Sequence, residues 1–415
     1  MGVKDSYYKV LKNNIHKPHR IQQLMKMGLS YEMLRTKLTF KDANALRYLN
    51  KVSLKLMKNA LEKPEESVWV NLFAPCEVIH AFGLKPISIE YFASFLAGFQ
   101  LQNIYLDKAN HMGMSDTLCS YHKAFIGAVA GGIVPPPAFA AATSIICDAN
   151  NSTFAYLTHN WEAPYFLLDI PHEKSEASIS YVYGQLVEMI NNIERYTNRK
   201  FDLNGLRKVI QMENRTLNYA NKSLGLLSER LYSKTMSHEM YMLNMAHVYM
   251  GSPEALHFYK SMYEELKNLP KGKKKRLLWI HTMPFPFEPF KKIFGKEGEF
   301  EIIAMELNCP EIKPLDEKNP LKALSEKMIE NIYNGPYERK IKKIMMLADL
   351  LKVEGVIQFC HLGCRQNAGG MMLLKEALNE RQVPFLSIDG DGLDMRNTQQ
   401  GQLVTRVEAF LEMIK

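Results

Sequence analysis

The order of apolar and polar positions divides the 415-residue chain into four parts. Over residues 1–65 apolar side chains recur at helical spacing among lysines, with Leu34, Leu38, Leu46 and Leu49 among them, until Pro64 breaks the pattern. From 66 to 175 the pattern changes to short continuous apolar runs, at 68–73, 86–89, 138–146 and 164–169, each followed by a turn signal or a helical stretch. Such runs alternating with helices predict buried strands of a parallel sheet made of βαβ units. From 176 to 270 strand signals almost vanish, and Leu186, Ile190, Ile193 and Tyr196 fall on one helical face. From 271 onward, runs at 276–281, 300–305, 356–359 and 384–388 repeat the strand pattern, and a last helix is predicted from about 402 to the end. The chain therefore reads as α/β. Two parallel-sheet domains, 66–175 and 271–415, are expected, with a helical N-terminal lead-in, 1–65, and a helical connecting segment, 176–270.

Composition leaves this reading in place and removes others. With 47% apolar and 23% charged residues the chain is not disordered in general, and nowhere do about eighteen apolar residues run together as a membrane span requires. The first residues lack the apolar core of a signal peptide, so a cytoplasmic location is expected, with reduced cysteines and no membrane partner. Part of the net charge of +8 lies in KGKKKR at 271–276. No interleaved aromatics or nucleic-acid motif accompany that run, which reads as a solvated interdomain linker, and no nucleic-acid partner is expected.

Chemistry is expected at the cysteines. Cys76, Cys119, Cys147, Cys309, Cys360 and Cys364 all fall at ends of predicted strands or starts of predicted helices. A helix N-terminus stabilises thiolate, the form that binds metal, and the crevice beyond the carboxyl ends of parallel strands is where ligands bind. Structural zinc sites use close Cys-x-x-Cys pairs, whereas these six are widely spread, which favours an iron-sulfur cluster over zinc. Polar neighbours of the cysteines are Glu77, His80, His122, His361, Arg365 and Gln366. His361 is the candidate proton donor, because its ordinary pKa lies near neutrality, with a hydrogen bond to backbone as its alternative role. Glu77 and His80, one turn apart at a helix start, suit acid/base work or simple capping. DGDGLD at 389–394 sets carboxylates at spaced positions but lacks the length and final glutamate of an EF-hand, and reads as a structural turn. No phosphate-binding GxxxxGK[ST] loop occurs, and no flavin or nicotinamide cofactor is expected.

APCEVIHAFGLKP at 74–86, CSYHKAFIG at 119–127, CD at 147–148, HLGC at 361–364, DGDGLD at 389–394 and GQLVTRVEAFLE at 401–412 together resemble the superfamily of 2-hydroxyacyl-CoA dehydratases, benzoyl-CoA reductases and double-cubane cluster proteins. The resemblance covers residues from about 66 to the C-terminus. It implies flavodoxin-like domains with a cluster between them, low-potential electrons from a separate iron-sulfur ATPase activator, and a small-molecule substrate. In a dehydratase subunit one 4Fe-4S cluster is held by three cysteines, which would match Cys119, Cys147 and Cys364. The double-cubane branch holds an 8Fe-9S group through six cysteines. This chain has six cysteines, so the resemblance favours a double-cubane reductase acting as a homodimer, with Cys76, Cys309 and Cys360 completing the set. The alternatives are a 4Fe-4S dehydratase subunit in a heterodimer, which would bind coenzyme A, and a non-enzymatic electron-transfer protein.

Overall fold

The computed structural model describes residues 3–39, 43–161, 163–272, 274–284, 287–295, 298–310 and 313–415. Strands form where the continuous apolar runs fall: β1 Ser67–Val70, β2 Lys85–Ser88, β3 Phe139–Thr143 and β4 Tyr165–Leu168, then β5 Lys275–Ile280, β6 Phe300–Met305, β7 Gly355–His361 and β8 Phe385–Gly390. Every residue of β1, β3 and β7 is buried, so these runs show no alternation. The first four strands make one parallel sheet in the order β2-β1-β3-β4, and the last four make another in the order β6-β5-β7-β8. The shared order is that of a flavodoxin-like doubly wound sheet, so the fold is α/β with two such units.

Helices Val3–Asn13, Pro18–Thr39 and Asn44–Glu62 form the lead-in. Leu46 and Leu49 are fully buried, but Leu34 and Leu38 are exposed, because Pro18–Thr39 turns Ile21, Leu24, Met25 and Leu29 inward instead. Glu176–Thr197, Leu203–Leu227, Met236–Ala246 and Pro253–Asn268 fill the connecting segment. Leu186, Ile190 and Ile193 are buried as expected, while Tyr196 at the last turn is exposed.

One hydrophobic core runs through the faces of both sheets and the helices between them, from Val68 and Phe139 through Leu186 and Phe258 to Leu277 and Val356. A second core lies on the other face of the first sheet and is covered by the lead-in helices. The basic run at 271–276 is not simply a solvated linker. Lys275 and Arg276 begin β5, and Lys274 and Lys275 donate to the carbonyls of Gly295 and Ile414, both at 2.9 Å. Lys273 of that run lies outside the described residues. Among the described residues no helix is long and apolar enough to cross a membrane.

Candidate metal centre

Strand order reverses between β1 and β3 in one sheet and between β5 and β7 in the other, and a crevice opens beyond the carboxyl ends of the strands at each reversal. The two crevices share one chamber of about 120 Å³. Its walls include Phe73 after β1, Cys147 after β3, His281 after β5, and His361 and Cys364 at the end of β7. Cys119 joins them from the start of a crossover helix.

Cys119, Cys147 and Cys364 share a local geometry. Each immediately precedes a helix, respectively Ser120–Ala130, Asp148–Trp161 and Arg365–Gly369. Backbone amides of Tyr121 and His122 face the first sulfur, those of Asn150 and Ala149 the second, and those of Asn367 and Gln366 the third. Amides at a helix start favour thiolate. Burial outweighs them: it pushes the Cys147 thiol up to about 12 and those of Cys119 and Cys364 above their ordinary value. A coordinated metal displaces the proton from such a thiol. Three thiols with amide donors around one chamber therefore fit the donor set of an iron-sulfur cluster. Among the described residues no three His, Cys, Asp or Glu side chains come close enough to hold one metal ion.

Each thiol also has a histidine beside it. His361 Nε2 lies 3.2 Å from Cys119 Sγ, His281 Nε2 3.5 Å from Cys364 Sγ, and His122 Nε2 3.8 Å from Cys147 Sγ. Burial lowers the pKa of all three rings, that of His122 to about 4. Burial thus favours the neutral ring in each.

Backbone strain gathers at the same place. Ile146, just before Cys147, has φ 68°, and His281 has φ 71°. A β-branched residue in the left-handed region is held there by its surroundings, as at other functional sites. Gly363, before Cys364, has φ 83°, and a Cβ there would lie 2.8 Å from the Thr117 carbonyl oxygen and 2.9 Å from the Cys119 nitrogen. Gly363→Ala is expected to lower stability by about 1–3 kcal/mol and to push apart the loops bearing two thiols. Thermal unfolding and bound iron in the purified variant would measure both effects.

The expectation that all six cysteines face one cleft is not met. Cys76 is 1% exposed and packs in the shared core at the first turn of Cys76–Ala81. Cys309 follows a 3-10 turn, donates to the Met305 carbonyl at 3.5 Å and lines a separate cavity of about 210 Å³. Cys360 lies inside β7, next to His361, and neighbouring strand residues point to opposite faces. With His361 turned into the chamber, Cys360 faces away. Of the proposed acid/base residues only His361 lines the chamber. Glu77 pairs with Lys327 at 2.5 Å, which also holds Glu213 at 2.6 Å, beside the Cys309 cavity. His80 Nε2 lies 2.9 Å from the Val248 carbonyl oxygen and donates to it.

The 389–394 turn acts as a clamp. Asp391 accepts from the Ser120 hydroxyl at 2.5 Å and from the amides of Leu393 and Asp394, tying the last loop of the second sheet to the helix after Cys119. Two chamber residues escaped the sequence reading. His281 ends an apolar strand run, and that position alone could have marked it. Glu90, half-buried, accepts from the Ser88 hydroxyl at 2.7 Å, and burial raises its pKa. Nothing in the sequence around Glu90 distinguishes it.

The family model for the D-component of 2-hydroxyglutaryl-CoA dehydratase matches residues 71–414. The (R)-phenyllactyl-CoA dehydratase alpha subunit of Clostridium sporogenes is 23% identical over 398 residues, covering 90% of this chain and 96% of that protein. The (R)-2-hydroxyisocaproyl-CoA dehydratase alpha subunit of Clostridioides difficile is 21% identical, over 86% of this chain and 93% of its own length. One of the subunits of the benzoyl-CoA reductase of Thauera aromatica is 20% identical, over 74% and 78% respectively.

Proposed function

Because the chain belongs to the 2-hydroxyglutaryl-CoA dehydratase D-component family, we propose that it is the subunit of a 2-hydroxyacyl-CoA dehydratase or related reductase that holds one 4Fe-4S cluster on Cys119, Cys147 and Cys364. The observation that carries this reading is the convergence of those three thiols, each before a helix, on one chamber. The double-cubane reading needs six thiolates in one place, and Cys76, Cys309 and Cys360 do not line the chamber. A heterodimer is favoured over a homodimer, since each of these relatives is named as one subunit of its enzyme, two of them as the alpha subunit. Electrons would come from an ATP-hydrolysing iron-sulfur activator.

A bound cluster supplies a low-potential electron and an iron with room for a substrate oxygen. Phe73, Leu243 and Leu307 keep the chamber apolar, which limits access of water and strengthens each polar contact within it. Glu90, with its raised pKa, can hold a proton inside the chamber and exchange it with a substrate carbon or leaving hydroxyl. Tyr91, Ser94 and Met240 line both this chamber and a cavity of about 700 Å³, which leaves room for a thioester arm.

Iron and acid-labile sulfide in anaerobically purified protein test the proposal. About four irons per chain are expected for the single cluster; about eight would restore the double cubane, and a colourless, iron-free protein would remove cluster chemistry altogether.

A further inference from the structure

The contacts between histidines and thiols have a direction. The Gly392 amide donates to His361 Nδ1 at 2.9 Å, so that nitrogen carries no proton. In a neutral ring the proton then sits on Nε2, which faces Cys119 Sγ at 3.2 Å. The Thr282 hydroxyl lies 3.1 Å from His281 Nδ1 and can donate to it, leaving Nε2–H for Cys364 Sγ at 3.5 Å. His281 is held firmly in its left-handed conformation. Its amide donates to Glu306 at 3.0 Å, and the other oxygen of Glu306 accepts from the Tyr333 hydroxyl at 2.8 Å with Lys340 at 3.5 Å. His122 offers Nε2 to Cys147 Sγ at 3.8 Å and has no partner for Nδ1 among the described residues.

We propose that His361, His281 and His122 are positioning residues, whose Nε2–H groups donate to the sulfurs of Cys119, Cys364 and Cys147 and thereby set the reduction potential of the cluster that those sulfurs hold. The inference rests on the single-cluster reading above. Reduction adds negative charge that spreads onto sulfur, and a donor aimed at sulfur stabilises the reduced form more than the oxidised one. In a buried chamber such a bond is only weakly screened. Removing a donor therefore makes the potential more negative. The effect should rank with contact length: largest at His361, whose tautomer is fixed by a backbone amide, and smallest at His122.

The test is a redox titration of the iron-loaded protein, followed by electron paramagnetic resonance, for wild type, His361→Leu, His361→Gln, His281→Leu and His122→Leu. The leucine variants are expected to shift to more negative midpoints in that rank order. His361→Gln, which keeps an N–H near the Nε2 position, should stay close to wild type. Leucine variants with full iron and sulfide and an unchanged midpoint would overturn the proposal. So would a glutamine variant as displaced as the leucine one. If His361→Leu loses its iron, retention by His361→Gln supports the N–H donor and loss from both overturns it. Absence of iron from the wild type would instead strike at the single-cluster reading, so the two failures are distinguishable.

Discussion

Cys147→Ala is expected to leave the protein without its cluster, while Cys309→Ala keeps it. The same contrast should divide the remaining cysteines: alanine at Cys119 or Cys364 removes iron, and alanine at Cys76 or Cys360 does not. Loss of an outer partner of a metal site costs about 10–100-fold in affinity or activity, so loss of one of three ligands should exceed that range and abolish turnover. Cys76→Ala and Cys360→Ala remove only one buried sulfur each, and the expected cost is about 1 kcal/mol of stability per lost group. Iron content, the visible absorption of the cluster and turnover with an activator, measured across all six variants, provide the comparison. Iron loss from the second set of three would overturn the three-ligand assignment.

Lys327→Met is expected to destabilise the chain by about 3 kcal/mol, the lower end of the range for breaking a buried ion pair. Its ammonium joins Glu77 of the first sheet's helix to Glu213 of the connecting segment, both almost fully buried, while Lys327 itself stays 30% exposed. Removal strands the Glu77 carboxylate beside the protonated Glu213. Replacing all three residues with apolar ones of similar size should recover most of the loss, because it removes the stranded charge as well as the attraction. Burial, with Glu77 beside it, raises the Glu213 pKa from an ordinary 4.5 to about 8 even though Lys327 pulls the other way. Folded Glu213 thus keeps its proton where the unfolded chain has lost it. Its contribution to stability is whole below about pH 4.5 and falls away as pH rises toward 8. Glu213→Gln, a fixed copy of the protonated form, should therefore gain on wild type over that interval in urea unfolding monitored by circular dichroism.

The sheets were legible because parallel strands covered on both faces must be apolar throughout. Runs such as 276–281 and 300–305 leave no competing pattern, and β5 and β6 formed there. The lead-in was less legible. Leu34 and Leu38 keep helical spacing yet face outward, since tertiary packing chose another face of Pro18–Thr39. At the site, placing cysteines at element ends was a sound guide to position but not to direction. Cys360 and His361 illustrate the limit: the apolar run ends at 359, whereas β7 continues through His361 and so turns these two neighbours to opposite faces. Cys76 and Cys309 offered no clue to direction. Their burial depends on how Cys76–Ala81 and the 306–308 turn pack against the connecting helices.

The core shared by the two sheets bears on how molecules reach the chamber. Clamshell enzymes open by bending at a thin seam, on the slow timescale of domain motion. Here a shared apolar core joins the two sheets around the chamber, and hinged opening would expose buried Phe258, Leu277 and Val356 to water. Tyr91 and Met240 stand where the large cavity meets the chamber, on a route that needs no such opening. Methionine is unbranched and adaptable. Its rotamer changes are far faster than a domain swing, so passage along this route can be set by side-chain motion.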